Sequence, residues 1–278
     1  MRSELYLVAF VLLVPATVQA DEPPVWVEPM KQVHAKFSGK PGTLALLGDS
    51  ITVTKAFWAP LGYAPKDLPE PLAKNLQVVK TYMLDDCWSK WRGPEYGSES
   101  GKTTRWAEEN TDTWLKKLNP ETVVLMFGTN DLNQIEAKEY ETRTRSVIEK
   151  CLKNGTVVIL TTIPPRAGAE KKSKEFAEVQ RKIATDLKLP LVDYQAEVLK
   201  RRPEDWNGGL PQFKVDAAKD GYSVPTLIAA DGVHPSNPSK FQDYSEESLN
   251  KNGYQLRTVL TLNAYSDVIR LVLAPPKK

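Results

Sequence analysis

The chain has 278 residues, with 37 basic side chains against 35 acidic ones and a formal net charge of +2. That balance gives no electrostatic basis for an obligatory nucleic-acid or anionic-membrane partner. With 41% apolar residues and regular Pro and Gly punctuation, the chain is too hydrophobic for disorder and long enough to bury one sizeable core.

Residues 1–20 read as an export signal, with Arg2 at the start, an apolar stretch from Leu5 to Pro15, and Val18-Gln19-Ala20 as a small-residue cleavage site. Cleavage would leave Asp21 as the N-terminus, and the loss of Arg2 and Glu4 keeps the net charge unchanged. The stretch is shorter than the ~20 residues a spanning helix needs, and no cysteine follows Ala20 for lipid attachment. The expectation is a secreted or periplasmic protein without stable membrane insertion. Residues 21–40 read as an arm lying on the surface, 41–274 as one domain, and 275–278 as a tail.

Short runs rich in β-branched and aliphatic residues then alternate with helical patterns. Strands are expected at Thr43–Leu47, Thr122–Phe127, Thr156–Thr161 and Leu189–Asp193, with a weaker fifth at Leu76–Tyr82. Between them, Ile135 to Leu152 carries Tyr140, Thr144, Val147, Ile148, Cys151 and Leu152 at helical spacing and is closed by Asn154-Gly155. Phe176, Val179, Ile183 and Leu187 repeat the pattern, and a last helix runs from Gln255 to Leu273. The alternation predicts an α/β fold with a mostly parallel sheet covered by helices. Two long irregular stretches, Pro60–Lys102 and Arg202–Ala230, are rich in Pro, Gly and aromatic residues, a composition and length common in functional loops.

Cys87 and Cys151 are the only cysteines. A disulfide and a pair of buried thiols are both open to them. Neither has a CxxC or CxxH partner, and with two histidines in the whole chain a zinc site is not expected.

Ligands of a parallel sheet collect at the carboxyl ends of its strands. Gly48-Asp49-Ser50 follows the first strand, and Gly128-Thr129-Asn130-Asp131 follows the strand at Thr122–Phe127. Ser100-Gly101-Lys102-Thr103-Thr104 precedes the helical stretch near Arg105, and Asp231-Gly232-Val233-His234 lies far downstream. A serine hydroxyl needs an imidazole to take its proton, and the imidazole needs a carboxylate to fix its tautomer. Ser50, His234 and Asp231 supply that set. Singly, each motif is also an ordinary turn or cap.

Together and in this order, GDSIT (48–52), SGKTT (100–104), GTNDL (128–132) and DGVHP (231–235) resemble the four sequence blocks of the SGNH (GDSL-type) hydrolases. The resemblance covers about Thr43 to Leu273. It implies a flavodoxin-like three-layer sandwich and a serine esterase without cofactor or metal. Ser50 would be the nucleophile, His234 the general base and Asp231 its orienting carboxylate; Ser50, Gly101 and Asn130 would supply the oxyanion hole. Two features depart from the pattern. Ser236–Lys251 reads as an insertion before the final helix, and Gly93 or Gly97 competes with Gly101 in the second block.

Asp49 is expected to hydrogen-bond its own loop, Asp131 to cap a helix or anchor a loop, and His34 to be an exposed or packing residue. Of Trp58, Trp88, Trp91, Trp106, Trp114 and Trp206, most should staple core and loops, with one or two available to line the site. Export and aromatic loops favour O-acetyl groups on carbohydrate as the ester. The alternatives are a lipase or thioesterase of the same family, a non-catalytic carbohydrate-binding protein on a hydrolase fold, and a metal-dependent phosphoesterase using Asp49, Asp131 and Asp231. Oligomeric state is not legible.

Overall fold

A computed structural model describes residues 22–63, 65–66, 68–238 and 243–274. The export signal expected over residues 1–20 and the tail at 275–278 lie outside them. In chain order the first half runs α1 (Val27–His34), β1 (Leu44–Gly48), α2 (Ser50–Val53), α3 (Glu70–Tyr82), α4 (Asp86–Ser89), α5 (Thr104–Leu118) and β2 (Thr122–Met126). The second half runs α6 (Ala137–Lys153), β3 (Val157–Thr161), α7 (Glu170–Leu187), β4 (Leu191–Val192), α8 (Tyr194–Arg201), α9 (Lys214–Ala217), α10 (Glu246–Leu249) and α11 (Gly253–Val268).

The four strands form one parallel sheet in the order β1-β2-β3-β4, with Leu44 opposite Thr122 and Thr122 opposite Val157. Every residue of β1, β2 and β3 is buried, which is why these strands read as continuous apolar runs rather than alternating ones. Helices α5, α6 and α7 pack on one another and on the sheet, while α3, α8 and α11 form a second group together with α1. The result is the expected three-layer α/β sandwich, with its core between the layers. Among the described residues no helix is long and apolar enough to cross a membrane.

Three expectations change. The segment Leu76–Tyr82 is the second half of α3, because Leu72, Leu76 and Val79 bury at helical spacing and the β-branched pair Val78-Val79 was too short a run to override that stripe. The extra partner of β1 is instead Ser98, bridged in parallel to Gly48. The arm is not superficial: α1 buries Val27 and Met30 in the common core. His34 at its end has a specific partner, the buried Glu121, whose Oε1 lies 2.8 Å from His34 Nε2 and also accepts the Tyr82 hydroxyl. Both cysteines are buried free thiols.

Candidate active site

β1 ends at Gly48 and the chain turns at once into α2, whose first residue is Ser50. Asp49 makes the turn. Its Oδ1 accepts the Ile51 N–H at 3.0 Å and its carbonyl accepts the N–H groups of Thr52 and Val53, so it acts as the N-cap of α2 and bonds its own loop as expected. The Ser50 N–H, first in the helix, has no helical carbonyl behind it.

Four residues make too short a helix to hold themselves, and two arginines from distant segments hold them instead. Arg257 of α11, fully buried, donates to the Ile51 carbonyl at 2.8 Å and to Thr52 Oγ1 at 3.1 Å, with its guanidinium 3.8 Å from the Phe57 ring centroid. Arg92 donates to the carbonyls of Thr52 at 2.9 Å, Thr54 at 2.8 Å and Phe57 at 2.7 Å. Positive charge at the carboxyl end of a helix also suits its dipole. The loop finishes in a γ-turn: Trp58 has φ 67° and ψ −51°, and the Ala59 N–H donates to the Phe57 carbonyl at 2.8 Å. That strained conformation is kept because the buried indole stacks on Trp88 at 5.3 Å.

Asp49 is wholly buried, and burial pushes its carboxyl from 3.8 up to about 6, against the opposing pull of the Ile51 N–H and Arg257. A carboxyl raised in the folded state stabilises the fold below its unfolded pKa and loses that contribution as pH rises through its folded pKa. The window here is about pH 4 to 6, and the shift corresponds to about 3 kcal/mol. The unfolding free energy of the wild type minus that of Asp49→Asn should therefore fall by about that amount between about pH 4 and pH 7 in urea titrations. A pH-independent difference would mean that Asp49 titrates normally.

His234 meets Ser50 from 184 positions away: its Nε2 lies 2.9 Å from Ser50 Oγ. Its Nδ1 lies 2.6 Å from Asp231 Oδ2. An ionised carboxylate can only accept, so Nδ1 carries the proton and Nε2 presents its lone pair to the serine hydroxyl. Burial opposes ionisation of Asp231, but its bonds to the His234 ring and to the N–H groups of His234 and Val233 prevail and lower its pKa. Gly232 lets the loop fold back on itself, with φ +70° and no room for a Cβ beside Ala167.

The other two blocks are tied together by Asp131. Buried, it accepts both the backbone N–H and the hydroxyl of Thr104, anchoring the start of α5, and so fixes the Gly101 loop against the Asn130 loop. Gly101 has φ +76° and open space where a Cβ would stand, and its N–H has no acceptor among the described residues. Gly97 is packed against Leu47 and Trp114, and the Gly93 N–H is engaged by Ser98 Oγ, so neither rival is as free. The Asn130 side-chain amide donates to the Lys102 carbonyl at 2.9 Å and approaches Asp49 Oδ2 only at 3.4 Å.

Ser50 and His234 open onto a cleft of about 480 Å³ that is also lined by Val53, Thr54, Ala56 and Ser100 and, from later in the chain, by Asp220, Tyr222, Asn237 and Tyr254. Among the described residues no tryptophan lines it; Trp58, Trp88, Trp114 and Trp206 are buried. The aromatic lining comes from Tyr222 and Tyr254, which the sequence did not single out. Asn237 places the start of the expected 236–251 insertion at the cleft. Arg257 was detectable in principle, as a charge set directly beside Leu256 in the apolar pattern of the last helix. Arg92 and Tyr222 sit in irregular loops and carry no such signal.

The model of the GDSL-like lipase/acylhydrolase family matches residues 46–238. Similar solved structures include a protein of the G-D-S-L family from Desulfitobacterium hafniense DCB-2 (17% identity, 80% of this chain and 99% of that one, TM-score 0.53). The psychrotrophic esterase EstA from Pseudoalteromonas sp. is also similar (16% identity, 82% and 99%, TM-score 0.50). So is an acetylxylan esterase from Geobacillus stearothermophilus (18%, 85% and 96%, TM-score 0.47). At such identities the first two likenesses speak for the fold alone. No curated protein matches the chain.

Proposed function

The chain belongs to the GDSL-like lipase/acylhydrolase family and is a carboxylic ester hydrolase, and from that premise we propose that it is an exported serine esterase that removes short acyl groups, acetyl above all, from a carbohydrate. The observation that carries the reading is the contact of Ser50 Oγ with His234 Nε2 at 2.9 Å, backed by Asp231 at 2.6 Å.

In this mechanism Ser50 Oγ attacks the ester carbonyl as His234 Nε2 takes its proton. The carbonyl oxygen, now negative, is held by the N–H groups of Ser50 and Gly101 and by the Asn130 amide, whose loose contact with Asp49 leaves an N–H to redirect. The imidazolium, stabilised by Asp231, gives the proton to the leaving alcohol, and an acyl-Ser50 remains. Water then attacks the acyl carbonyl with the same imidazole as base, releasing the acid and restoring the serine. The cleft supports a short acyl group: its volume is modest, and its apolar wall consists of Val53 and Ala56 rather than a long groove. Export rests on the pattern of residues 1–20.

Recovered from the medium or periplasm, the protein should begin at Asp21 and turn over 4-nitrophenyl acetate. Asn130→Ala should lower kcat by about 10²- to 10³-fold, the scale of one oxyanion donor. A wild type inactive on short esters would reject the reading.

A further inference from the structure

We propose that Tyr222, Asp220 and Asn237 form the subsite for the leaving alcohol and that this alcohol is a polyhydroxylated ring of the pyranose type. The inference rests on the serine-esterase reading and deepens it.

The tetrahedral intermediate has four substituents, and three directions are already assigned. One is the bond to Ser50 Oγ. The negative oxygen points at the Ser50 and Gly101 N–H groups and Asn130. The leaving oxygen must come within reach of His234 Nε2, because that atom protonates it. The acyl group takes the direction that remains. The alcohol therefore extends along the His234 flank of the cleft, where Asp220, Tyr222 and Asn237 stand.

Tyr222 is 42% exposed, and its ring centroid lies 5.8 Å from that of His234 at a 54° tilt. A half-exposed aromatic face beside the general base is open to a ring of the substrate. Its backbone is fixed: the Tyr222 N–H donates to Asp220 Oδ1 at 3.0 Å, and the Tyr222 carbonyl accepts the Asn237 N–H at 2.7 Å. The ring is thus presented on a braced turn.

Asp220 takes the Tyr222 N–H and the Ser223 hydroxyl, at 3.0 and 2.9 Å, which hold it ionised. A carboxylate has further lone pairs for hydroxyl donors. Asn237 has its Oδ1 occupied by Asn252 Nδ2 at 3.2 Å, while its own amide N–H groups have no partner among the described residues. An aromatic face, an acceptor and a donor match the C–H face and the hydroxyls of a sugar ring. An alkyl alcohol would offer nothing to the remaining lone pairs of Asp220 or to the Asn237 amide N–H groups, and an anionic alcohol would meet the Asp220 charge.

The test compares kcat/KM on a monoacetylated methyl xylopyranoside with that on ethyl acetate, whose alcohol is too small to reach the ring, both followed by acid release in a pH-stat. Wild type should prefer the glycoside by tenfold or more. Tyr222→Ala and Asp220→Asn should each cut that ratio by about tenfold, chiefly through KM, and Tyr222→Phe should restore it. An unchanged ratio in Tyr222→Ala would overturn the proposal and leave Tyr222 as a support for the His234 ring. A wild type that cleaves ethyl acetate as well as it cleaves the glycoside would remove the alcohol subsite but keep the esterase. Inactivity on both esters and on 4-nitrophenyl acetate would remove the reading beneath it.

Discussion

Ser50→Ala should lower kcat on a short ester by about 10⁵- to 10⁶-fold, and Ser50→Ala combined with His234→Ala should lower it no further. The reason is that the two side chains act as one unit across the 2.9 Å contact: without the hydroxyl the imidazole has no proton to take, and without the imidazole the hydroxyl is a weak nucleophile. Asp231→Asn should cost less, about 10³- to 10⁴-fold, through loss of the Nδ1–H tautomer, because the Asp231 side chain is 39% exposed and water can partly replace it. Steady-state kinetics with an active-site titration would measure all three. A double variant clearly worse than Ser50→Ala would show that His234 contributes to a second process. Ser50→Ala with near wild-type turnover would place the nucleophile elsewhere.

Arg257→Met should destabilise the protein by about 3–5 kcal/mol, the scale of breaking a buried charged network. Methionine keeps much of the volume, so the loss is mostly electrostatic. The Ile51 carbonyl would lose its donor at 2.8 Å, Phe57 would lose its cation, and Asp49 would stay buried without the charge that now draws its pKa down. Burial holds the guanidinium near 10 rather than its usual range, still ionised at neutral pH. The same change should lower kcat by about 10²-fold, since a displacement of about 1 Å at the nucleophile is enough for that. Urea unfolding at pH 7 and kinetics at a temperature where the variant is folded would separate the two effects. A loss under about 1 kcal/mol would show that Arg92 alone holds α2.

Much of the molecule was legible beforehand because its signals are local. Strand runs such as Thr122–Met126 are apolar throughout since both faces are covered, and the α6 stripe of Tyr140, Val147, Ile148 and Cys151 repeats at 3.6 residues whatever surrounds it. Ser50 and Asn130 stood out because they follow strand ends, and Gly101, Asp231 and His234 because with them they complete the four blocks of the resemblance in order. The Leu76–Tyr82 segment is ambiguous because an apolar run as short as Val78-Val79 looks alike in a strand and a helix. Only the longer stripe beginning at Leu72 decides.

What the sequence determined by itself was the order of elements and the chemical inventory, since both follow from residue type and spacing along one segment. Only the tertiary structure decided that Arg257 and Arg92 brace α2, that Glu121 engages His34, that Ser98 rather than α3 flanks β1, and that Tyr222 lies beside the His234 ring. Each of these joins residues of different segments, and such pairings arise from packing and from the need to partner buried polar groups, which no local pattern encodes.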